Sequence, residues 1–425
     1  MVRSFDYAAP NCPPSGSTMT KLRQLTINKF RNVAPTTLEF RPGINVLLGR
    51  NAAGKTTLLR LLATAVASPE DALKDDPFEV SFHAFNEELD LKQKTTRLRI
   101  SETIPHTPDL PRIEEFPSLS QTDSLEYIET GNTVLSARIY PNEVIFSYEG
   151  IEHREARLIP TPPIISLIVA LSNQGNSDTL RKLATQIAYS RILTAGRMDE
   201  SLDRFNTLLK LELQSRGGRK ARNTRVREIP HSMVNLLNEP IPDGTTATYS
   251  LAFLDRAAQV LGYNSAHARF DIERLDSATS DATVRLSNLR FFFKRANEEI
   301  SHNQLSYGQK RLLAFFAHAD ASPDIIIADE LVNGLHHEWI SACLEEIGGR
   351  QAFLTSQNPL LLDFLRFDSI EEVRHTFIIC ERAGSATDAQ LIWRNLTDDE
   401  AESFFLAYQT GIQRVSDILL TKGLW

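Results

Sequence analysis

The order of hydrophobic and polar positions near the start of the chain predicts strands followed by a helix. Residues 22–28 and 37–40 have the character of strands, and the mostly apolar run 44–48 is typical of a buried parallel strand. Residues 55–67 carry apolar side chains at helical spacing and are followed by Pro69, which ends the helix. The pattern therefore predicts a strand, a glycine-containing loop and a helix in direct succession.

A β-rich region and then a polar region follow. Short alternating segments separated by turn residues recur between residues 80 and 160, which predicts an antiparallel sheet attached to the first strands. Beyond it the chain is polar and mostly helical in character, and residues 203–213 predict an amphipathic helix. The strands predicted in these two regions are residues 98–104, 134–140, 144–148, 270–275 and 283–293.

The end of the chain returns to the pattern of its start. Apolar runs at 325–328 and 352–355 predict buried strands. Residues 373–380 and 389–393 predict a hairpin, and 398–420 carry apolar and aromatic side chains at helical spacing. An α/β core is therefore expected to resume after the middle of the chain.

Composition excludes several classes of protein. The 425 residues carry a net charge of −8, so no global basic field draws the chain to nucleic acid. Its three cysteines are too few and too scattered for a disulfide framework or a zinc site, which suits a reducing cytosol. The apolar run 164–171 is too short to span a bilayer. We therefore expect a cytoplasmic protein without a membrane partner.

A glycine-rich loop stands between the third predicted strand and the first predicted helix. The backbone N–H groups of such a loop close around phosphate oxygens, and the helix N-terminus adds positive potential. Lys55 would reach the β- and γ-phosphates, and the Thr56 hydroxyl would hold Mg²⁺. A glycine turn before a core helix is the alternative. The predicted ATP contacts are Gly49, Arg50, Asn51, Ala52, Ala53, Gly54, Lys55, Thr56 and Thr57.

An acidic pair follows the buried strand predicted at 325–328. Asp329 would point at the Mg²⁺ shell, and Glu330 would orient or deprotonate water. Alone, such a pair is also a common polar cap of a core strand. We predict Asp329 and Thr56 as metal ligands, and Glu330 and Lys55 as catalytic residues.

The segment Leu305-Ser306-Tyr307-Gly308-Gln309 resembles the signature motif of ABC-class ATPases, usually written LSGGQ. With the glycine loop and the acidic pair it is similar to the RecF/SMC/OLD-like group, as are residues 30–32 and 333–336. A helix N-terminus built from small residues approaches an anion closely. Ser306 and Gln309 also fit a capping box, and both interpretations can hold at once.

This resemblance implies an α/β fold of the ABC-type P-loop ATPases, with a mixed sheet, an antiparallel β subdomain and a mainly helical insertion. It implies ATP and Mg²⁺ as cofactors, and a homodimer in which Ser306, Gly308 and Gln309 of one protomer contact ATP held by the other. It also makes Arg31 a candidate nucleotide contact, with a surface charge beside Lys29 as the alternative.

Four segments are predicted from these patterns. Residues 1–18 form a flexible extension, 19–177 form ATPase lobe I with the antiparallel subdomain, and 178–285 form the mainly helical insertion. Residues 286–425 complete the core with the signature segment, the acidic pair, a switch loop and a C-terminal helix. Long coiled-coil arms and a nuclease domain are not expected.

Two residues depart from the family's pattern. Gln357 stands where the family has its switch histidine, and glutamine can hydrogen-bond the γ-phosphate or water but cannot become cationic. We therefore predict Gln357 as a catalytic residue that gives slow hydrolysis. Ala52 stands where glycine is frequent, and we expect it to be tolerated. No Q-loop glutamine is assigned.

A basic run lies in the predicted insertion. It predicts a mobile loop that binds the phosphates of DNA, or one that is solvated or faces a protein partner. Its cations are Arg216, Arg219, Lys220, Arg222, Arg225 and Arg227.

Three functions fit these observations. The first is an ATP-hydrolysing switch that dimerises around ATP and gates an effector protein, by resemblance in a bacterial defence system. The second is a RecF-like DNA clamp in repair or recombination, and the third is a scaffold that binds ATP and rarely hydrolyses it. A transporter ATPase is disfavoured because the signature segment lies unusually far from the glycine loop.

Overall fold

The structure is a computed structural model in which the chain forms two compact units. It describes residues 19–66, 68–87, 90–99, 119–129, 132–157, 161–174, 177–216, 219–222, 229–234, 236, 239–275, 283–384 and 389–425. The first unit contains residues 19–31 and Asp75–Ile192, and the second contains Asn32–Lys74 and Leu193–Trp425. The four segments predicted from the sequence stay a prediction.

The described residues contain both strands and helices along the whole chain. The strands are β1 (Lys21–Phe30), β2 (Thr36–Glu39), β3 (Ile44–Leu48), β4 (Phe78–Phe85), β5 (Asp90–Arg99), β6 (Leu119–Glu129), β7 (Asn132–Ile139), β8 (Glu143–Tyr148), β9 (Ile151–Ala156), β10 (Arg197–Met198), β11 (Leu213–Arg216), β12 (Arg219–Arg222), β13 (Thr246–Tyr249), β14 (Ser265–Leu275), β15 (Thr283–Arg295), β16 (Glu298–Ser301), β17 (Ile325–Ala328), β18 (Gln351–Thr355), β19 (Phe377–Ala383) and β20 (Gln390–Asn395). The helices are α1 (Lys55–Ala65), α2 (Pro163–Ser172), α3 (Asp178–Ser190), α4 (Asp203–Leu208), α5 (His231–Val234), α6 (Ala252–Val260), α7 (Tyr307–Asp320), α8 (His337–Ile347), α9 (Leu360–Asp363), α10 (Ile370–Thr376), α11 (Asp398–Gln409) and α12 (Val415–Thr421).

The first unit is built on an antiparallel sheet, as the alternating segments predict. Its strands follow the order β1-β4-β5-β6-β7-β8-β9. Every second residue of β4 is buried, beginning with Phe78, because successive side chains of a strand point to opposite faces. Helix α3 begins after Ser177, whose hydroxyl accepts a hydrogen bond from the backbone N–H of Leu180, a favourable N-cap. The antiparallel sheet is therefore confirmed, although most of the strand predicted at 98–104 lies outside the described residues.

The second unit contains a mixed sheet in the order β10-β17-β18-β3-β19-β20. Strands β10, β17, β18, β3 and β19 run parallel, and β20 is antiparallel to β19. The residues of β17 and β18 are buried throughout, as expected for strands covered on both faces. Because the carboxyl ends of parallel strands meet at one edge, this sheet brings together the loops that follow β3, β17 and β18.

A second sheet in this unit is antiparallel. Its order is β12-β11-β15-β14-β13, and β16 pairs with β15. One apolar core joins residues of this sheet to α6, α7, β17 and β18. Another joins β3 and β19 to α11 and α12.

The region predicted as a mainly helical insertion at 178–285 supplies the strand predicted at 270–275, as part of β14, and also the strands β10 to β13, which the sequence reading missed. The helix predicted at 203–213 is only α4, which ends at Leu208. Leu213 instead pairs with Leu286 in the second sheet, so ladder pairing replaces helical spacing at this position. Tertiary pairing of this kind overrides a short local pattern.

The basic run at 216–227 is not simply a loop. Residues 213–216 and 219–222 pair with each other as an antiparallel hairpin, β11 and β12. The backbones of Arg216, Arg219, Lys220 and Arg222 therefore lie in strands. Arg225 and Arg227 lie outside the described residues.

Two predictions near the C-terminus also need correction. The first strand of the predicted hairpin begins at Phe377, and residues 370–376 form α10 instead, with the Ser369 hydroxyl as its N-cap. The helix predicted at 398–420 is two helices, α11 and α12. Gly411, with a φ of +66°, lies between them in the left-handed region that favours glycine.

Candidate nucleotide site

The loop after β3 is shaped by glycines that leave no space for a side chain. Gly49 has a φ of +141°, and a Cβ there would lie 2.1 Å from the carbonyl oxygen of Cys380. Gly54 has a φ of +87°, and a Cβ there would lie 2.9 Å from Leu391 Cδ1. A loop that approaches neighbouring backbone this closely requires glycine. The glycine pattern in the sequence therefore reflects the geometry of the loop.

The backbone conformation of Ala52 shows why glycine is frequent at this position in the family. Its φ is +65°, in the left-handed region, which costs an L-residue about 1–2 kcal/mol. The alanine is accommodated here, as expected from the sequence. The carbonyl of the next residue, Ala53, accepts a hydrogen bond of 3.3 Å from the buried Trp393 indole. Strand β20 therefore helps to hold the loop in place.

Lys55 lies at the first turn of α1 and is folded over its own loop. Its Nζ donates to the carbonyl oxygen of Gly49 at 2.6 Å and to that of Arg50 at 3.3 Å. No acidic residue occupies the first turn of α1, so the positive end of the helix dipole is not neutralised there. Thr56, the predicted Mg²⁺ ligand, is partly buried in the same turn. The Lys55 ammonium and the N-terminus of α1 therefore place positive charge beside the glycine loop, the combination that binds an anion.

The acidic pair at the end of β17 is nearly buried and is organised by Thr355. The Thr355 hydroxyl donates to Asp329 Oδ1 at 2.6 Å and accepts from the backbone N–H of Glu330 at 2.7 Å. Glu330 has a φ of +52°, an uncommon conformation for a residue with a side chain. Backbone strain at such a position is often associated with function.

Gln357 contacts Glu330 directly. Its backbone N–H donates to Glu330 Oε2 at 3.0 Å, and its side-chain Nε2 donates to Oε1 at 3.3 Å. Both oxygens of the Glu330 carboxylate therefore have a donor from the loop after β18. The structure thus brings together two of the predicted catalytic residues, although nothing in the sequence spacing required that contact.

A buried arginine that the sequence reading missed completes this edge of the sheet. Arg197 Nη1 lies 3.3 Å from Asp329 Oδ2. Its Nη2 lies 3.4 Å from Asp199 Oδ2 and 3.7 Å from Glu70 Oε2. No motif marks Arg197. The nearest signal in the sequence is Gly196, whose φ of +74° places the chain in a conformation that favours glycine.

The signature segment forms the N-terminus of α7. Ser306 Oγ accepts from the backbone N–H of Gln309 at 3.3 Å, and Gln309 Oε1 accepts from the backbone N–H of Ser306 at 2.9 Å. This reciprocal capping box confirms the capping interpretation. Gly308 packs so closely that a Cβ there would lie 2.7 Å from the carbonyl oxygen of Gly334. Ser306 and Tyr307 are exposed.

Arg311 connects this helix to the acidic pair. Its guanidinium is buried and donates to the carbonyl oxygens of Glu330, Leu331 and Glu200. Burying a cation requires partners of this kind. The residue lies just beyond the signature segment, and no role was predicted for it.

Arg31 lies in the first unit, and its side chain contacts Asp76 and Phe30. Its φ is +44°, and its guanidinium pairs with Asp76 at 2.6 Å. The guanidinium also lies 5.3 Å from the centre of the Phe30 ring, within the range of a cation–π contact. Its predicted role in nucleotide binding stays a prediction.

The donor set fits Mg²⁺ only together with phosphate. Among the described residues, no group of three or more His, Cys, Asp and Glu side chains is arranged to hold a metal ion. Mg²⁺ bound with nucleotides commonly takes one or two protein ligands and completes its shell with phosphate and water. A hydroxyl and a carboxylate, from Thr56 and Asp329, match that pattern.

No helix in the described part of the chain combines the length and apolar character needed to cross a membrane.

Comparison with known proteins identifies the family. Residues 44–363 match the family described as "AAA domain, putative AbiEii toxin, Type IV TA system". This match spans more than half of the chain and contains the glycine loop, the signature segment, the acidic pair and Gln357.

Among curated proteins, the chain resembles the DNA replication and repair protein RecF. It is 31% identical to RecF of Streptococcus gordonii over 119 residues, which are 27% of this chain and 32% of that protein. It is 43% identical to RecF of Lactobacillus delbrueckii subsp. bulgaricus over 53 residues, 12% of this chain and 14% of that protein. The chain thus matches about a third or less of the length of these relatives.

Two solved structures are similar at a low level. One is an SMC head bound to the C-winged helix domain of ScpA, with 10% identity and a TM-score of 0.39 over 88% of this chain and 98% of that chain. The other is an Smc head domain with a coiled coil and joint derived from Pyrococcus yayanosii, with 10% identity and a TM-score of 0.37 over 92% and 100%. The family match rests on the sequence, and by it the chain belongs to this AAA-domain family.

Proposed function

We propose that the protein is a molecular switch that binds ATP and Mg²⁺, dimerises around them, hydrolyses the ATP and thereby gates an effector protein. The observation that carries this proposal is the contact of Gln357 with both oxygens of Glu330. That carboxylate stands at the same sheet edge as the glycine loop. A fixed carboxylate beside a phosphate-binding loop is suited to orient water for attack.

Each predicted residue has a role in this proposal. Lys55 exchanges the carbonyls of Gly49 and Arg50 for the β- and γ-phosphates, and the loop N–H groups bind the remaining oxygens. Thr56 and Asp329 would hold Mg²⁺, which when bound neutralises charge on the phosphates. Glu330 accepts a proton from the attacking water.

Gln357 acts in this scheme by holding Glu330 and by hydrogen-bonding water or the γ-phosphate. An amide has no cationic form, so it adds no positive charge as charge develops on the phosphate. Slow hydrolysis follows, and the ATP-bound state would be long-lived. A slow switch of this kind gives time for a partner to respond.

The dimer is proposed because the signature segment presents Ser306 to solvent. One protomer would hold ATP on its glycine loop, and the Ser306, Gly308 and Gln309 segment of its partner would cover the γ-phosphate. The description of the family names a toxin of a toxin–antitoxin system. We therefore place the effector in a bacterial defence or toxin–antitoxin setting as part of the proposal.

A DNA clamp is the second candidate. It is supported by the similarity to RecF and by the basic residues in the hairpin of β11 and β12. The cations of this candidate are Arg216, Arg219, Lys220 and Arg222, with Arg225 and Arg227 following them in sequence.

The test combines turnover, oligomeric state and DNA. Glu330→Gln should lower ATP turnover about 100-fold, since removing a general base typically costs 10²-fold or more. It should also accumulate a dimer in the presence of ATP and Mg²⁺, measured by size-exclusion chromatography with light scattering. Glu345→Gln changes an exposed glutamate of α8 and serves as the matched control.

The same assay with linear double-stranded DNA separates the two candidates. Turnover independent of DNA supports the partner-gated switch. Stimulation by DNA that disappears when the basic residues of the hairpin are neutralised supports the clamp. Normal turnover in Glu330→Gln, or a monomer under all nucleotide conditions, would contradict the proposed mechanism.

A further inference from the structure

Arg197 is a buried arginine with acidic partners from three parts of the second unit. Its side chain is 6% exposed. It contacts Asp329 just after β17, Asp199 just after its own strand β10, and Glu70 in the segment that follows α1. Within the described part of the chain, its Nε has no hydrogen-bond partner. A cation is buried in this way only when its partners compensate for the loss of water.

Arg197 contacts Asp329, the carboxylate predicted to bind Mg²⁺. Thr355 donates to Asp329 Oδ1, and Arg197 donates to Asp329 Oδ2. Both oxygens of the predicted Mg²⁺ ligand are therefore fixed by protein donors. Groups that fix a ligating carboxylate in this way set its orientation and its affinity for the metal.

The segment that follows β10 contacts the signature helix. The carbonyl oxygen of Glu200 accepts from the Tyr307 hydroxyl at 2.8 Å and from Arg311 Nη1 at 2.7 Å. The Glu200 carboxylate accepts from Asn333 Nδ2 at 2.5 Å. Only a few residues of chain thus separate the partner of Asp329 from the contacts that hold the N-terminus of α7.

We infer that Arg197 is a positioning residue that orients the Asp329 carboxylate, is displaced from it when a metal ion binds, and couples that displacement to the signature helix. This inference rests on the proposed function. A cation that binds Asp329 competes with the guanidinium for the same carboxylate, and Glu70 and Asp199 are the groups that receive the guanidinium when it moves. Because Asp199 and Glu200 are adjacent, that movement reaches the carbonyl held by Tyr307 and Arg311.

Arg204 offers a matched control within the same cluster. It also pairs with Glu70, at 3.2 Å, and donates to the carbonyl oxygen of Ala195. It is partly exposed, and among the described contacts its ionic partner is Glu70 and not Asp329. Removing its charge therefore perturbs the neighbourhood without releasing the predicted metal ligand.

The experiment measures ATP turnover of the full chain as a function of ATP and of Mg²⁺, and Mg²⁺ binding to the chain by isothermal titration calorimetry, for Arg197→Gln, Arg197→Lys and Arg204→Gln. Arg197→Gln should lower kcat about 10- to 100-fold, as loss of a group supporting a metal ligand does. KM for ATP should change less than about threefold, because the phosphate loop is untouched. The Mg²⁺ concentration for half-maximal turnover should fall, since a competing cation has been removed.

Arg197→Lys keeps the charge and loses the planar fork, so it should keep the Mg²⁺ requirement of the wild type and lose only part of kcat. It also decides the question if Arg197→Gln does not fold. An unchanged kcat and Mg²⁺ requirement in both Arg197 variants would overturn the inference, as would an equal loss in Arg204→Gln. Failure of the proposed function is distinguishable, because the wild-type chain would then show no turnover that depends on Lys55.

Discussion

The N-termini of α1 and α7 carry similar small residues but stand in different surroundings. At α1, Gly49 and Gly54 pack without space for a Cβ, and the Lys55 ammonium lies on the carbonyls of its own loop. At α7, Ser306 is exposed, and its hydrogen bonds are with Gln309 in a capping box. The first terminus has a built loop and its own cation, and the second presents a capped surface.

The difference shows that sequence similarity between two phosphate-site motifs does not make them equivalent sites. The loop at α1 has backbone N–H groups that can close around a phosphate, and its lysine can turn from the loop carbonyls toward an anion. The terminus at α7 has no such loop before it, and it suits an approach from one side to an anion held elsewhere. This is the asymmetry that a shared site between two protomers requires.

The largest effect is expected when the N-termini of α1 and α7 are disabled by mutation on separate chains. Lys55→Ala should lower turnover about 100-fold, as loss of a charge-stabilising donor does. Ser306→Arg should do the same by placing a bulky cation on the surface of α7. Mixing the two variants should restore one active site per heterodimer, because the intact loop of one chain meets the intact α7 of the other.

Turnover of the mixture, with heterodimers isolated by two affinity tags, is the measurement. Lys182→Ala, at an exposed lysine of α3, controls for the loss of a lysine and should leave turnover unchanged. An inactive heterodimer made of two folded variants would mean that α7 acts within its own protomer. The comparison of the two termini would then lose its functional meaning.

A smaller effect is expected at Gln357, which links the loop after β18 to Glu330. Gln357→Ala removes one of the two donors to the carboxylate and should lower turnover about 3- to 10-fold, the contribution of one hydrogen bond. The backbone N–H of residue 357 still holds Oε2, so the loss should be smaller than in Glu330→Gln. Initial rates at saturating ATP and Mg²⁺ measure it.

Gln357→His sharpens the same test. An imidazole at this position can become cationic near its ordinary pKa of about 6.5, so turnover should rise relative to the wild type as the pH falls through that range. A flat ratio of variant to wild type from pH 8 to about 6 would show that residue 357 does not face the developing charge.

The motifs of the nucleotide site could be predicted from the sequence because each depends on local geometry. Gly49 is fixed by the close approach of the Cys380 backbone and Gly54 by its positive φ, and the acidic pair is fixed by the end of a buried strand. The contact between Gln357 and Glu330 depends on the order of β17 and β18 in the sheet, so spacing alone did not reveal it. The family resemblance supplied the position of Gln357, and the fold supplied its partner.

The rest could not be predicted because it depends on pairing between distant segments. Arg197 lies in a strand of two residues and becomes buried only because β17 pairs with it. Strands β11 to β13 belong to a sheet whose central member, β15, lies later in the chain. Short alternating segments in a polar region give little signal until such a partner is known.

The smallest effect concerns how α7 is held at its other end. His318 is buried on α7, and its imidazole hydrogen-bonds the backbone of Ile327 in β17. Burial, with smaller contributions from Arg204 and Arg350, lowers the pKa of the imidazole to about 3. In the unfolded chain the imidazole titrates near pH 6.5. Between these values the unfolded state binds a proton that the folded state does not, so stability falls as the pH decreases.

The free energy of unfolding should therefore fall by up to about 1.4 kcal/mol per pH unit below pH 6.5 from this residue alone. His318→Asn, which keeps a short polar side chain but does not titrate, should reduce the loss between pH 6.5 and 4.5 by about 2 kcal/mol relative to the wild type. Urea unfolding of both proteins at several pH values measures the difference, in which other titrating groups cancel. Parallel curves would show that the attachment of α7 to β17 does not depend on a neutral His318. The C-terminal part of α7 would then not depend on the protonation of a buried group, just as the loop before α1 is fixed by glycines and by the Trp393 indole and not by a titrating side chain.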